Sequence, residues 1–243
     1  MPHPSRTTLL VIAKEPRPGR AKTRLGPVFT EHGAASLASA ALTDTLRAVL
    51  ATPARRRVLV LDGRPGPWLP GPDEGGDTLE IAPQAAGGLD ARLAAAFALC
   101  DGPALLVGMD TPQLTPGLLA PATAPHAWRD HDAFFGPAAD GGFWALGLAR
   151  PDPALLRGVP MSTPTTGAVQ RARLVDAGLR VCDLPELRDV DEPDDAAAVA
   201  ARAPGTLFAA EHARLRGLLD RAPAPTAPGT AGDSPGAPGT AGA

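Results

Sequence analysis

The chain has 243 residues, 44% of them hydrophobic and 20% charged, with a formal net charge of -3. That length and apolar content can bury one sizeable core and suit a single α/β domain, while the absence of a basic stripe interleaved with aromatics argues against nucleic acid as the main partner. No apolar run approaches a membrane span, and the five apolar residues 9–13, preceded by Pro2 and Pro4, are too short for a signal-peptide core, so the expectation is a soluble cytoplasmic protein with no membrane partner.

Residues 8–13 read as a buried first strand. Directly after it comes KEPRPGRAKTRL, which places Lys14, Arg17, Arg20, Lys22 and Arg24 within eleven positions against a single acid, Glu15. Pro16, Pro18 and Gly19 rule out helix, so these cations ride on a loop at a strand's carboxyl end, where open α/β sheets bind ligands. Local positive charge on an acidic protein points to a polyanion. Thr23, amides near Gly19 and the N-terminus of the next helix add hydrogen-bond donors, so the segment reads as a cradle for a nucleotide diphosphate or triphosphate. The spacing is not GxxxxGK[ST], and the competing reading is a solvated loop whose charges maintain solubility.

An Ala- and Leu-rich helix is predicted over 31–51, short strands over 57–61 and 78–82, a helix over 89–99 and a buried strand over 104–109. Pro112 and Pro116 bracket the start of another helix. Strands over 133–135 and 143–148 flank a turn at Asp140, Gly141 and Gly142. A helix over 166–177, a strand over 179–184 and helices over 193–203 and 207–219 complete the pattern. This alternation implies a three-layer α/β/α sandwich with a mainly parallel sheet and a mixed edge. The folded domain is expected to span residues 1–221, and residues 222–243, almost wholly Ala, Pro, Gly and Thr with Asp233 the only charge, to form a disordered tail. Cys100 and Cys182 read as reduced thiols, and the five histidines show no zinc spacing. The apolar helices serve a dimer as readily as a core.

A phosphate cradle acts chemically when a carboxylate-bound magnesium orients the phosphates. Asp110, in VGMDTP at the end of the buried strand, and Asp191, in DVDEPDD, are the expected ligands, with Asp189 in support. The competing reading of Asp110 is an Asx turn before Pro112, and that of Asp191 or Glu192 a helix cap, a role Asp194 and Asp195 fit best. Asp140 to Gly142 fits either a hairpin turn or a close approach to a ligand, and Ser162 and Thr163 fit an N-cap or an acceptor-side donor.

The segments KEPRPGRAKTRL, QAAGGLDARL, GMDTPQLT, PAADGGFWALGL, MSTPTTG and DVDEPDD, in this order between residues 8 and 201, resemble a group of bacterial GT-A-like glycosyltransferases that includes an arsenosugar-biosynthesis branch. That group is related to the guanylyltransferases that activate phospholactate or phosphoenolpyruvate for the deazaflavin cofactor. The resemblance implies a nucleotide-diphospho-sugar transferase fold. It implies donor-phosphate binding by Lys14, Gly19, Arg20, Lys22 and Arg24, with Gln84 on the donor side. It implies Mg2+ or Mn2+ at Asp110 and Asp191, and an acceptor side lined by Asp140 and Gly141. Lys22, Arg24, Asp110 and Asp140 would carry the chemistry. The chain departs from the group's pattern at Gly88, often an acid, Phe143, commonly Tyr, Met161, usually Trp, and Glu192, frequently Thr. The expected activity is sugar transfer from a nucleotide sugar to a small-molecule acceptor. The alternative is transfer of a nucleoside monophosphate from a nucleoside triphosphate to a phosphorylated or phosphonate acceptor, and a further one is nucleotide binding without catalysis.

Overall fold

A computed structural model describes residues 5–26 and 28–221; the tail predicted over 222–243 lies outside the described residues. β1 (Thr8–Lys14) is followed by a 3-10 turn (Thr23–Leu25) and then by α1 (Glu31–Leu50), the longest helix. Thr30 starts α1 by accepting the Gly33 N–H on its hydroxyl at 3.1 Å. β2 (Arg56–Asp62), β3 (Glu80–Pro83), α2 (Leu89–Phe97) and β4 (Ala104–Val107) follow. After α3 (Pro116–Thr123) comes α4 (Ala127–Asp130), a single turn too short to leave a periodic signal in the sequence. β5 (Ala133–Pro137), β6 (Phe143–Leu148), α5 (Thr166–Asp176), β7 (Val181–Asp183), α6 (Pro193–Arg202) and α7 (Leu207–Leu219) complete the order.

The seven strands form one sheet in the order β3-β2-β1-β4-β6-β5-β7. β1 pairs in parallel with β2 and β4, β2 with β3 and β5 with β7, whereas β6 runs antiparallel to both its neighbours. The sheet is therefore mainly parallel, but its reversed strand is interior and not at the expected mixed edge. The Asp140–Gly142 turn offered a signal for a reversal, but a hydrophobic strand with both faces covered reads the same at an edge or inside a sheet, which is why its interior place was not legible.

Period-two alternation sorts the side chains onto two faces. Leu9, Val11 and Ala13 pack with Leu42, Leu46 and Val49 of α1 and Leu119 of α3, while Leu10, Val58 and Val60 pack with Leu93 and Phe97 of α2 and Leu174 of α5. Helices thus cover both faces, giving the three layers. A third cluster sits beside the sheet and joins Leu25 and Phe29 to Leu37 of α1, Val190, Val199 of α6 and Phe208 of α7. This small core decides the site's geometry, because it anchors the end of the basic loop and the acidic segment before α6 against the same helix.

Candidate functional site

The carboxyl ends of β1, β3, β4, β5 and β7 open on one edge of the sheet, and β6 begins there. The loops at this edge enclose a cavity of about 940 Å³. Lys14, Arg20, Lys22, Arg24, Gln84, Asp110, Asp140 and Asp191 all line it. Gly19 does not: it borders a smaller recess of about 370 Å³ on the other side of the loop, next to the start of α1. That helix N-terminus, expected to point at the phosphates, is capped by Thr30 and also faces the recess.

At the base of the cavity Lys22 sits in the left-handed region, φ 52° and ψ 42°, which is costly for a residue with a Cβ. Its Nζ lies 2.8 Å from Asp110 Oδ1 and 2.9 Å from Asp191 Oδ1, with only 9% of the side chain exposed. Burial works against the ammonium, but the two carboxylates overcome it and raise its pKa above the usual lysine value. For Asp191, burial likewise opposes ionisation; Lys22, then Arg24, whose Nη1 is 3.6 Å from Oδ2, hold its carboxyl below the usual range. The Val190 N–H donates to the Asp110 carbonyl at 3.0 Å, so the backbone itself ties the two acids together. Asp195 accepts the Glu192 N–H at 2.9 Å and the Asp191 N–H at 3.3 Å, and pairs with Arg188 at 2.9 Å. Asp195 is thus a capping residue that also sets the backbone of Asp191.

Asp189, two positions before Asp191 and on the other side of buried Val190, is the least comfortable group here. Burial, reinforced by Asp110 and Asp140, pushes its carboxyl up to about 8, and its buried Oδ1 has no hydrogen-bond partner among the described residues. A cation beside it would draw that value back down. Asp110 and Asp191 already converge on one cationic point, which suits magnesium, an ion that takes one or two carboxylates and fills its remaining positions with water and substrate phosphates. Among the described residues no three His, Cys, Asp or Glu side chains are arranged to enclose a metal unaided. The donor set fits an ion that arrives with its substrate.

The remaining residues divide by segment. Arg17 turns away to pair with Glu15 at 2.7 Å, whereas Lys14 and Arg20, which line the cavity, make no ion pair among the described residues. The Gln84 amide nitrogen donates to the carbonyls of Ala13 at 2.7 Å and Val60 at 3.2 Å, so it bridges β1 and β2 while lining the cavity. Arg92 of α2, absent from the sequence reading, also lines the cavity and bonds Asp62 at 3.0 Å and the Gly87 carbonyl at 2.9 Å. It lies within the QAAGGLDARL segment, and its one signal as a single residue was a basic group near the start of a helix, where the macrodipole disfavours it.

In the turn between β5 and β6, Asp140 Oδ1 accepts the Gly142 N–H at 2.8 Å, an Asx turn that leaves the carboxylate lining the cavity. Gly141 adopts φ 87° and approaches the chain itself: a Cβ there would lie 2.0 Å from the Pro164 carbonyl oxygen, and the Gly141 carbonyl accepts the Gly167 N–H at 2.8 Å. Phe143, Met161, Ser162 and Thr163 also line the cavity, and no Lys or Arg from residues 140–144 or 161–166 does.

Residues 45–163 match the family described as an uncharacterized protein conserved in bacteria, DUF2064, from within α1 to the loop before α5. No curated protein matches the chain. Among solved structures, a candidate nucleotide-diphospho-sugar transferase from Desulfovibrio desulfuricans G20 is 24% identical with a TM-score of 0.73, over 89% of this chain and 96% of that one. A homolog of Mycobacterium tuberculosis rv0371c from Mycobacterium sp. strain JC1 is 21% identical, TM-score 0.52, over 88% and 100%. A nucleotidyl transferase from Methanothermobacter thermautotrophicus is 16% identical, TM-score 0.52, over 80% and 95%. The fold is that of the nucleotide-diphospho-sugar transferase type.

Proposed function

We propose that this protein is a nucleotide-dependent transferase that moves a sugar from a nucleotide sugar to the hydroxyl of a small-molecule acceptor. The observation that carries the reading is the origin of the groups lining the cavity: the loop after β1 supplies Lys14, Arg20, Lys22 and Arg24, while the β5–β6 turn and the segment before α5 supply Asp140 and no cation. The first suits a diphosphate and the second a neutral hydroxyl compound. In the transfer, the bond between the anomeric carbon and the diphosphate oxygen breaks, its electron pair leaving with the nucleoside diphosphate. A new bond forms from that carbon to the acceptor oxygen, and the acceptor proton passes to the Asp140 carboxylate. Lys14, Arg20 and Arg24 stabilise the departing charge, which is where electrostatic catalysis has most effect. A magnesium or manganese ion held by Asp110 and Asp191 would supply Lewis-acid neutralisation of the same charge.

The second reading, nucleotidyl transfer with pyrophosphate leaving toward the basic loop, draws on the number of cations there. It requires a phosphorylated acceptor to approach Asp140, against charge repulsion. Kinship with the arsenosugar-biosynthesis branch and the deazaflavin guanylyltransferases belongs to this proposal and is supported by the order of the motifs. A transferase domain ending at residue 221 and a cytoplasmic location, which two free cysteines support, complete it.

Thermal unfolding with magnesium against a panel of nucleotide sugars and nucleoside triphosphates tests the reading. A ligand at about 100 times its dissociation constant stabilises by ~2.7 kcal/mol, a shift of a few degrees. The expected result is a shift with one nucleotide sugar, followed by release of nucleoside diphosphate when acceptors are added, and a fall in turnover of about 10²-fold or more in Asp110→Asn. Stabilisation by a triphosphate alone, with pyrophosphate as product, selects the second reading. If no nucleotide stabilises the protein, both fail.

A further inference from the structure

Lys22 does more than line a phosphate site, because its ammonium stands at the single point on which both proposed ligands converge. Its Nζ is within 2.9 Å of one oxygen from Asp110 and one from Asp191, and its side chain is nine-tenths buried. A divalent ion bound by those oxygens would lie within a few ångströms of the ammonium, and two cations that close repel, the more so because the ammonium is buried although the two carboxylates remain partly exposed. An ion that takes those same two oxygens therefore displaces Lys22. Lys22 cannot leave without cost, since a buried ammonium stripped of its partners is an uncompensated charge. The left-handed backbone at Lys22 and the Leu25 N–H bonded to its carbonyl at 3.0 Å hold the base of the side chain in place. The swing open to it is about the side-chain torsions, toward the cavity that Lys14 and Arg20 also line. What waits there in the proposed reaction is the donor's diphosphate.

We propose that Lys22 is a displaceable occupant of the cation position, which holds Asp110 and Asp191 together and yields them only to a divalent ion that arrives with diphosphate oxygens able to receive its ammonium. Metal and diphosphate then bind as a unit, and metal alone binds weakly. The inference rests on the metal-assisted part of the proposed function, but not on which transfer follows, because a diphosphate group is common to both.

Two measurements on the full chain test it. In the wild type, the Lys22 ammonium is followed by 1H–15N correlation spectroscopy of lysine side chains, with its signal assigned by its loss in Lys22→Arg. Millimolar Mg2+ alone should leave the signal in place, and Mg2+ with inorganic pyrophosphate should move it. Displacement by Mg2+ alone, or no change with both, overturns the proposal. Separately, Mn2+ binding by electron paramagnetic resonance should be at least tenfold tighter in Lys22→Met than in the wild type, and should be lost again in Lys22→Met combined with Asp191→Asn. Equal affinity in Lys22→Met and the wild type also overturns it, and if Lys22→Met does not fold the wild-type spectra decide. Failure of either measurement leaves sugar transfer testable by product release, and failure of product release leaves the exchange of Lys22 standing.

Discussion

Gly141 shows what one residue type contributes to the site. Its positive φ and the 2.0 Å separation of a would-be Cβ from the Pro164 carbonyl oxygen press the 138–142 turn against the start of α5, backbone to backbone. Gly141→Ala should therefore cost ~2–3 kcal/mol in denaturant unfolding, the range for strained backbone, and raise KM for the acceptor more than for the donor. An unchanged unfolding midpoint would show that the turn gives way freely. The same residue marks a boundary of legibility: the tight turn was readable from Asp-Gly-Gly, but its partner was not, because Pro164 is distant in the chain. Asp110 was legible for the opposite reason, as the first acid after a wholly apolar strand. Asp189 was placed beside Asp191 on sequence proximity alone, and its burial appears only once Val190 is seen in the core between them.

Among the elements, α6 links stability to the site. Its first turn is acidic, and Asp195 satisfies the N–H groups of both Glu192 and Asp191. Asp195→Ala should destabilise the protein by ~1 kcal/mol, the usual loss for a helix cap, and should also weaken metal-dependent nucleotide binding, because the backbone carrying Asp191 loses an anchor. A loss of stability with unaltered binding, measured by unfolding and calorimetry on one preparation, would confine Asp195 to capping. The sequence showed a helix opened by Pro193 with acids around it, and the choice between cap and ligand came down to geometry. Asp195 is turned inward to its own helix start while Asp191 faces Lys22. The 3.6-residue period likewise announced α1, α5 and α7, but α4 spans only one turn and offers no period to detect.

Across the whole molecule, the far side of the sheet carries its own electrostatic clasp. The Arg180 side chain and its backbone N–H hold the Asp132 carboxyl down to about 2 from 3.8, joining the approaches to β5 and β7. A carboxyl whose folded pKa is depressed contributes stability above its unfolded value and loses it as pH falls through the folded one. The contribution of Asp132 should be complete above about pH 5 and should vanish only below about pH 2. Asp132→Asn should lower stability at neutral pH and flatten the stability curve between those limits, as equilibrium unfolding across pH would show; parallel curves for the two proteins would remove the clasp from acid sensitivity. The overall architecture was legible because alternation of strand and helix constrains topology so strongly. The interior place of β6 was not.

That reversed strand divides the work of the sheet. On one side of it, β3, β2, β1 and β4 run in parallel and bring the basic loop, Gln84 and Asp110 to the cavity; on the other, β5 and its return through β6 bring Asp140, Gly142 and Phe143. On the proposed reading, donor grip and acceptor choice therefore come from different stretches of chain, with Asp191, in the segment after β7, returning to the donor side to meet Lys22. On that reading, replacing one hairpin and the loop before α5 would change the acceptor and leave the grip on the nucleotide in place.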